Sequence, residues 1–134
     1  DGARIISYAD EMGKVCDLPQ TVFFFVIEGV YAGDRNGPIR PRLRKEGVIL
    51  GGFSPVEVDM AGTQLMGLDY KKILYLREAL EKHRYDLSVN TDKIEIVSNE
   101  RKFEKLFKLR RDETLCFEPA EQWKGSIELP NKKR

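Results

Sequence analysis

Apolar and polar positions change period several times along this chain, and each change marks an element. Ile5, Tyr8, Ala9, Met12, Val15 and Cys16 recur at helical spacing, which predicts an amphipathic helix ending before Asp17-Leu18-Pro19. Val22-Phe23-Phe24-Phe25-Val26-Ile27 is a continuous apolar run, the pattern of a strand covered on both faces. Glu28-Gly29 closes it and brings a carboxylate to the strand end. From residue 29 to 46 the apolar periodicity fades into glycines, prolines and the basic string Arg40, Arg42, Arg44, Lys45, so a long functional loop is expected there. Gly47-Val48-Ile49-Leu50 reads as a second buried strand.

The next start signal is the clearest in the chain. Ser54-Pro55-Val56-Glu57 is a capping box, with Ser54 able to accept from an unpaired amide and Pro55 preset for the first helical position. Val58, Ala61, Leu65 and Met66 supply the apolar stripe of that helix, and Gly67 supplies a left-handed stop. Asp69 is placed to cap a further helix that carries Ile73, Leu76 and Leu80 inward. Residues 93–97 alternate as a strand does, and Phe103, Leu106 and Phe107 suggest a short helix. Residues 114–117 read as an edge strand, and 119–129 as a closing arm anchored by Trp123. Together these elements predict an α/β fold, a single domain over residues 1–130, in which a mixed or mostly parallel sheet is flanked by helices. A disordered tail is expected at 131–134.

Composition narrows the function classes. A chain of 134 residues suits one domain, and no apolar run approaches the roughly 20 residues of a membrane span. Lys and Arg total 23 against 22 Asp and Glu, so net charge exerts no general pull toward nucleic acid or anionic lipid. Cys16 and Cys116 are too few for a disulfide framework and lack the spacing for zinc or an iron–sulfur cluster. Reduced, mostly buried thiols and a cytoplasmic location are expected. Because the first residue is Asp1 rather than Met, a longer parent chain is also an expectation.

Candidate chemistry gathers around the first strand. Glu28 and Asp34 flank its end, and Asp59 lies one turn into the capped helix after the neighbouring strand. If they converge with Asn36, they would suit Mg²⁺ or acid–base work. Asp59 and Glu28 are thus the candidate catalytic residues, and Asp34 and Asp59 the candidate metal ligands. The same loop would suit a small anionic ligand, held by backbone amides at Gly33 and Gly37 with Asp34, Asn36, Arg40 and Arg42. Neither G-x-x-x-x-G-K-[ST] nor G-x-G-x-x-G is present, so neither nucleotide fingerprint applies. Solvated carboxylates and turn-forming glycines account for the same residues without any ligand. Nucleic-acid binding through residues 40–45 is disfavoured, because no aromatics interleave with the cations. His83 sits where a cation favours a helix end. Tyr31 and Trp123 are candidates for lining a pocket.

Asn36-Gly37-Pro38, Gly47-Val48-Ile49-Leu50, Ser54-Pro55-Val56 with Asp59, Leu65-Met66-Gly67-Leu68-Asp69 and Ile73-x-Tyr75-Leu76 form an ordered series. In that order they resemble the C-terminal portion of domain-of-unknown-function family 362, over roughly residues 20–98. The resemblance implies a bacterial or archaeal α/β protein associated with ferredoxin-type iron–sulfur modules, with no cluster on this segment. It suggests a redox-linked enzyme or, alternatively, a non-catalytic docking module for an iron–sulfur protein partner.

Overall fold

A computed structural model describes residues 2–87 and 93–132. The elements are α1 (Gly2–Tyr8), β1 (Phe25–Asn36), β2 (Arg40–Gly52), α2 (Pro55–Leu65) and α3 (Leu74–Ala79), with 3₁₀ turns at Tyr70–Lys72, Arg101–Lys108, Arg111–Glu113 and Glu121–Trp123. Helices and one two-stranded antiparallel sheet make a single small domain. The coarse α/β expectation is met, but no parallel pairing occurs among the described residues.

The expected long loop is where sequence and structure differ most. Residues 29–46 continue β1 and β2 into one long hairpin, turning at residues 37–39, where a cis peptide joins Gly37 to Pro38. The strands read as separate buried runs are therefore the two ends of this hairpin, paired with Ile27 opposite Leu50 and Gly29 opposite Val48. A bulge slips the register between Gly29 and Tyr31. Beyond it the inner face carries Asp34, Arg42 and Arg44 beside the small Ala32, so alternation of hydrophobicity gives no sign of a strand.

α2 is the axis of the domain. Val56, Val58, Met60, Ala61, Gly62, Thr63, Gln64 and Leu65 are all buried. Val56 and Met60 pack with Ile73 and Leu76, while Ala61 and Leu65 pack with Leu106. Its start follows from local signals: Ser54 Oγ accepts from the Glu57 N–H and Pro55 occupies the first turn. Its end is a Schellman motif, with the Gly67 N–H donating to the Gln64 carbonyl and the Leu68 N–H to the Thr63 carbonyl.

Gly67 adopts φ +84°, and a Cβ there would lie 2.6 Å from Thr114 Oγ1. Gly67→Ala is expected to cost more than about 1 kcal/mol, read as a lower denaturation midpoint. A midpoint equal to wild type would mean that this turn relaxes freely.

The chain after residue 108 closes over the C-terminal end of α2. The Leu115, Phe117 and Leu129 N–H groups donate to the carbonyls of Leu65, Met66 and Gly67, satisfying acceptors that a helix end leaves open. Phe117 and Ile127 anchor this arm. Trp123, the expected anchor, is 48% exposed. Residues 114–117 lie against a helix end instead of a strand, so the expected edge strand is replaced by capping contacts.

Other expectations shift for local reasons. α1 stops at Tyr8 because Asp10 Oδ1 accepts from the Met12 and Lys14 N–H groups and Gly13 takes φ +77°, a turn that breaks the helical run. Asp69 does cap, at the 3₁₀ turn Tyr70–Lys72, where its Oδ1 accepts from the Lys71 N–H. Residues 94–98 keep a strand-like alternation, with Ile94 and Ile96 half-buried and Glu95 and Val97 exposed, but they pair with no strand among the described residues. Lys132, in the expected tail, bonds to Asp112 and Glu113. Asp1 and residues 133–134 lie outside the described residues. No helix among the described residues is long and apolar enough to cross a membrane.

Candidate functional site

Two faces of the hairpin have different fates. The inner face lies on α2, where Gly62 lets the sheet approach closely: a Cβ there would sit 2.9 Å from Ile27 Cδ1 and 3.7 Å from Leu50 Cδ2. On the outer face Phe24, Val26, Ile49, Tyr31 and Leu43 are exposed, and Phe24 packs edge-on against Phe53.

Between the inner face and α2 lies a cavity of about 230 Å³. Ile27, Val48, Leu50, Leu65, Met66 and Phe117 give it apolar walls, while Asp59, Thr63 and Tyr75 bring polar groups. Small residues at 29, 32, 33 and 62 leave the space that larger side chains would fill. Asp59, on the second turn of α2, also borders a neighbouring cavity of about 280 Å³, again with Tyr75. These two residues therefore stand between the two spaces.

Asp59 is half-buried and its side chain makes no hydrogen bond or ion pair with the described residues. Burial alone pushes its carboxyl above the ordinary value, because a desolvated carboxylate without a partner resists ionisation. The Tyr75 phenol is also pushed up, first by burial and then by the Asp59 charge.

No protein-family model matches the chain, and neither does any curated protein or solved structure. Functional assignment therefore rests on side-chain geometry.

The residues singled out from sequence divide into two groups. Glu28, Gly33 and Asp59 border the cavity. Glu28 does so from the margin: it lies opposite Ile49, in the register of the outer face, and its Oε1 accepts from the Val30 N–H at 2.7 Å. Asp34, Asn36, Gly37, Arg40 and Arg42 lie toward the hairpin tip and do not line the cavity.

Asp34 is consumed by the fold. Its side chain is 1% exposed, and it accepts from Arg42 Nε at 2.9 Å, Arg42 Nη2 at 2.6 Å, Arg44 Nη1 at 3.2 Å and the Glu118 N–H at 3.1 Å. Burial works to raise its pKa, but the bonds from Arg42, Glu118 and Arg44 outweigh that and hold it below the ordinary 3.8.

Of the expected metal pair, Asp34 is held by two guanidinium groups, and among the described residues no three His, Cys, Asp or Glu side chains gather as metal ligands. Arg42 serves Asp34 and Glu118, so it is not free to grip an anion. Arg44 bonds to Asp34, Glu46 and the carbonyls of Leu115 and Cys116. Asn36 Oδ1 accepts from the Glu121 N–H at 3.0 Å. Gly33 permits a close cross-strand approach, since a Cβ would lie 2.9 Å from Pro41 Cβ.

Elsewhere, His83 Nδ1 accepts from the Tyr85 N–H. Cys16 and Cys116 are both free and half-buried. Sequence reasoning did not assign a role to Tyr75 or Thr63. Tyr75 stands in the helical run 73–76 but outside its inward stripe, and nothing local marks it as a neighbour of Asp59.

Proposed function

We propose that the protein is a small-molecule-binding domain whose site is the cavity between the hairpin and α2, with Asp59 as its polar anchor and Tyr75 beside it. One observation supports this above others: a half-buried carboxylate with no hydrogen-bond or ion-pair partner among the described residues opens onto a cavity with largely apolar walls. Leaving such a charge unanswered costs stability, and groups of that kind concentrate at functional sites. A carboxyl with a raised pKa also suits proton transfer, which is the form an enzymatic role would take here. The family resemblance adds a setting, beside an iron–sulfur module, in which such a ligand would be used.

Asp59→Asn tests the reading. Asp59 has a raised folded pKa, so its contribution to stability is fully present below the unfolded value and is lost as pH rises through the folded one. At neutral pH the charged side chain is thus a burden, which a neutral amide of the same shape removes. The variant is expected to melt higher than wild type at pH 7, with the advantage disappearing under acidic conditions where Asp59 is protonated. A lower melting temperature at pH 7 would show that the carboxylate has a stabilising partner and would remove the basis for the site. The docking alternative is favoured by the exposed outer face of the hairpin, and under that reading Asp59→Asn leaves partner capture unchanged.

A further inference from the structure

We propose that the cavity takes a small organic cation with an apolar body, its ammonium head set against Asp59 and its hydrocarbon portion against Ile27, Leu50 and Phe117. This inference rests on the ligand-site reading above and names the ligand class.

Size comes first. At about 230 Å³ the cavity lies just below the roughly 300–1,000 Å³ of ordinary ligand pockets, so the part of a ligand it encloses is small.

Charge comes next. Among the described residues no Lys, Arg or His lines the cavity, whereas Asp59, Glu28 and Glu46 border it. Glu46 is already paired with Arg44, and Glu28 is turned onto the Val30 N–H. Asp59 is left as the bordering carboxylate with neither a hydrogen bond nor an ion pair among the described residues. An anion entering here would meet that charge in a partly desolvated space and find no cation to answer it. A neutral molecule would bury the carboxylate further and leave its charge without a counter-ion. An ammonium both neutralises it and donates charge-assisted hydrogen bonds.

The remaining walls agree. Tyr75 borders the same space as Asp59 on both sides of α2, and a tyrosine ring attracts a cation held over its face. Ile27, Leu50 and Phe117 offer only hydrocarbon surface to the rest of the molecule. A metal ion is a poor occupant, since among the described residues no three His, Cys, Asp or Glu side chains gather as ligands. The anion expected at the hairpin loop thus gives way to a cation one layer deeper, because Arg35, Arg42 and Arg44 are engaged with Asp34 and Glu118.

The experiment is an NMR titration of the whole chain at pH 7 with n-hexylamine, n-hexanol and n-hexanoate, three probes of one length and three charge states. Hexylamine, present as its ammonium form, is expected to shift resonances of Ile27, Leu50 and Phe117. It should bind at least about tenfold more tightly than hexanoate, and Asp59→Asn should remove about that factor. Ile39→Ala, at the exposed turn of the hairpin and outside the cavity, should retain hexylamine binding and serves as a folded control. Equal binding of all three probes at these residues would overturn the cationic class while leaving the cavity as a ligand site. If none of the probes perturbs these residues, the ligand-site reading falls as well.

Discussion

Asp34→Ala is expected to lower the unfolding free energy by about 3 kcal/mol, the scale for deleting one partner of a buried charge network. The wild-type carboxylate is enclosed and accepts four hydrogen bonds, three of them from Arg42 and Arg44. Its removal takes one carboxylate from Arg44, which keeps Glu46 and the Leu115 and Cys116 carbonyls, and cuts the tie from the hairpin to the Glu118 N–H. Arg42 loses its paired contact with Asp34 but is 40% exposed and recovers water, so the loss is shared between the two arginines and the unpaired Glu118 N–H. Chemical denaturation at pH 7 measures the effect, and a change below about 1 kcal/mol would place the network in the range of solvent-screened surface pairs.

The same residue sets part of the acid response. Asp34 has a lowered folded pKa, so its stabilisation is present above the ordinary 3.8 and is lost as pH falls through that value and then through the folded one. Asp34→Ala should therefore flatten the decline in stability below about pH 4. A variant that loses stability with acid as steeply as wild type would assign that decline to other carboxylates.

Met60→Ala is expected to cost about 3 kcal/mol. Met60 is completely enclosed, packed by Val56, Ile73 and Leu76 on the side of α2 that faces residues 70–80. Truncation removes most of a side chain from a site walled by these neighbours, so both transfer and cavity terms apply. The denaturation midpoint reports it directly. Because Met60 adjoins Asp59 in sequence but packs with a different cluster, hexylamine binding measured on the folded fraction should persist. A loss below about 1 kcal/mol would show that the domain collapses readily around this position and that α2 is less central than its burial implies.

α2 was legible because its signals are local. Ser54, Pro55 and Gly67 act on backbone groups within four residues of themselves, and each does in the structure what its chemistry predicts. Asp59 was legible for the same reason, since a well-placed helix start locates every residue on the turns that follow. The hairpin was not. Its inner face toward the tip carries Asp34, Arg42 and Arg44, and such charges look like solvated loop until Asp34 is seen facing Arg42 across the strands with Arg44 reaching the same carboxylate. Asp34 illustrates the limit well: a carboxylate in a glycine-rich stretch suggests a ligand, and only the fold shows that Arg42 sits opposite and that the Glu118 N–H arrives from 84 residues away.

Helix caps, glycine stops and the apolar stripe of α2 were decided by sequence alone, because the forces involved reach only to the next turn of chain. Strand direction, the sealing of α2 by residues 115–129 and the choice of which carboxylate is neutralised were decided by tertiary structure. They depend on closing long loops, and the free energy of a closed loop belongs to the whole chain. That is why Asp34 and Asp59, alike as residues, end as a saturated anchor and an open one.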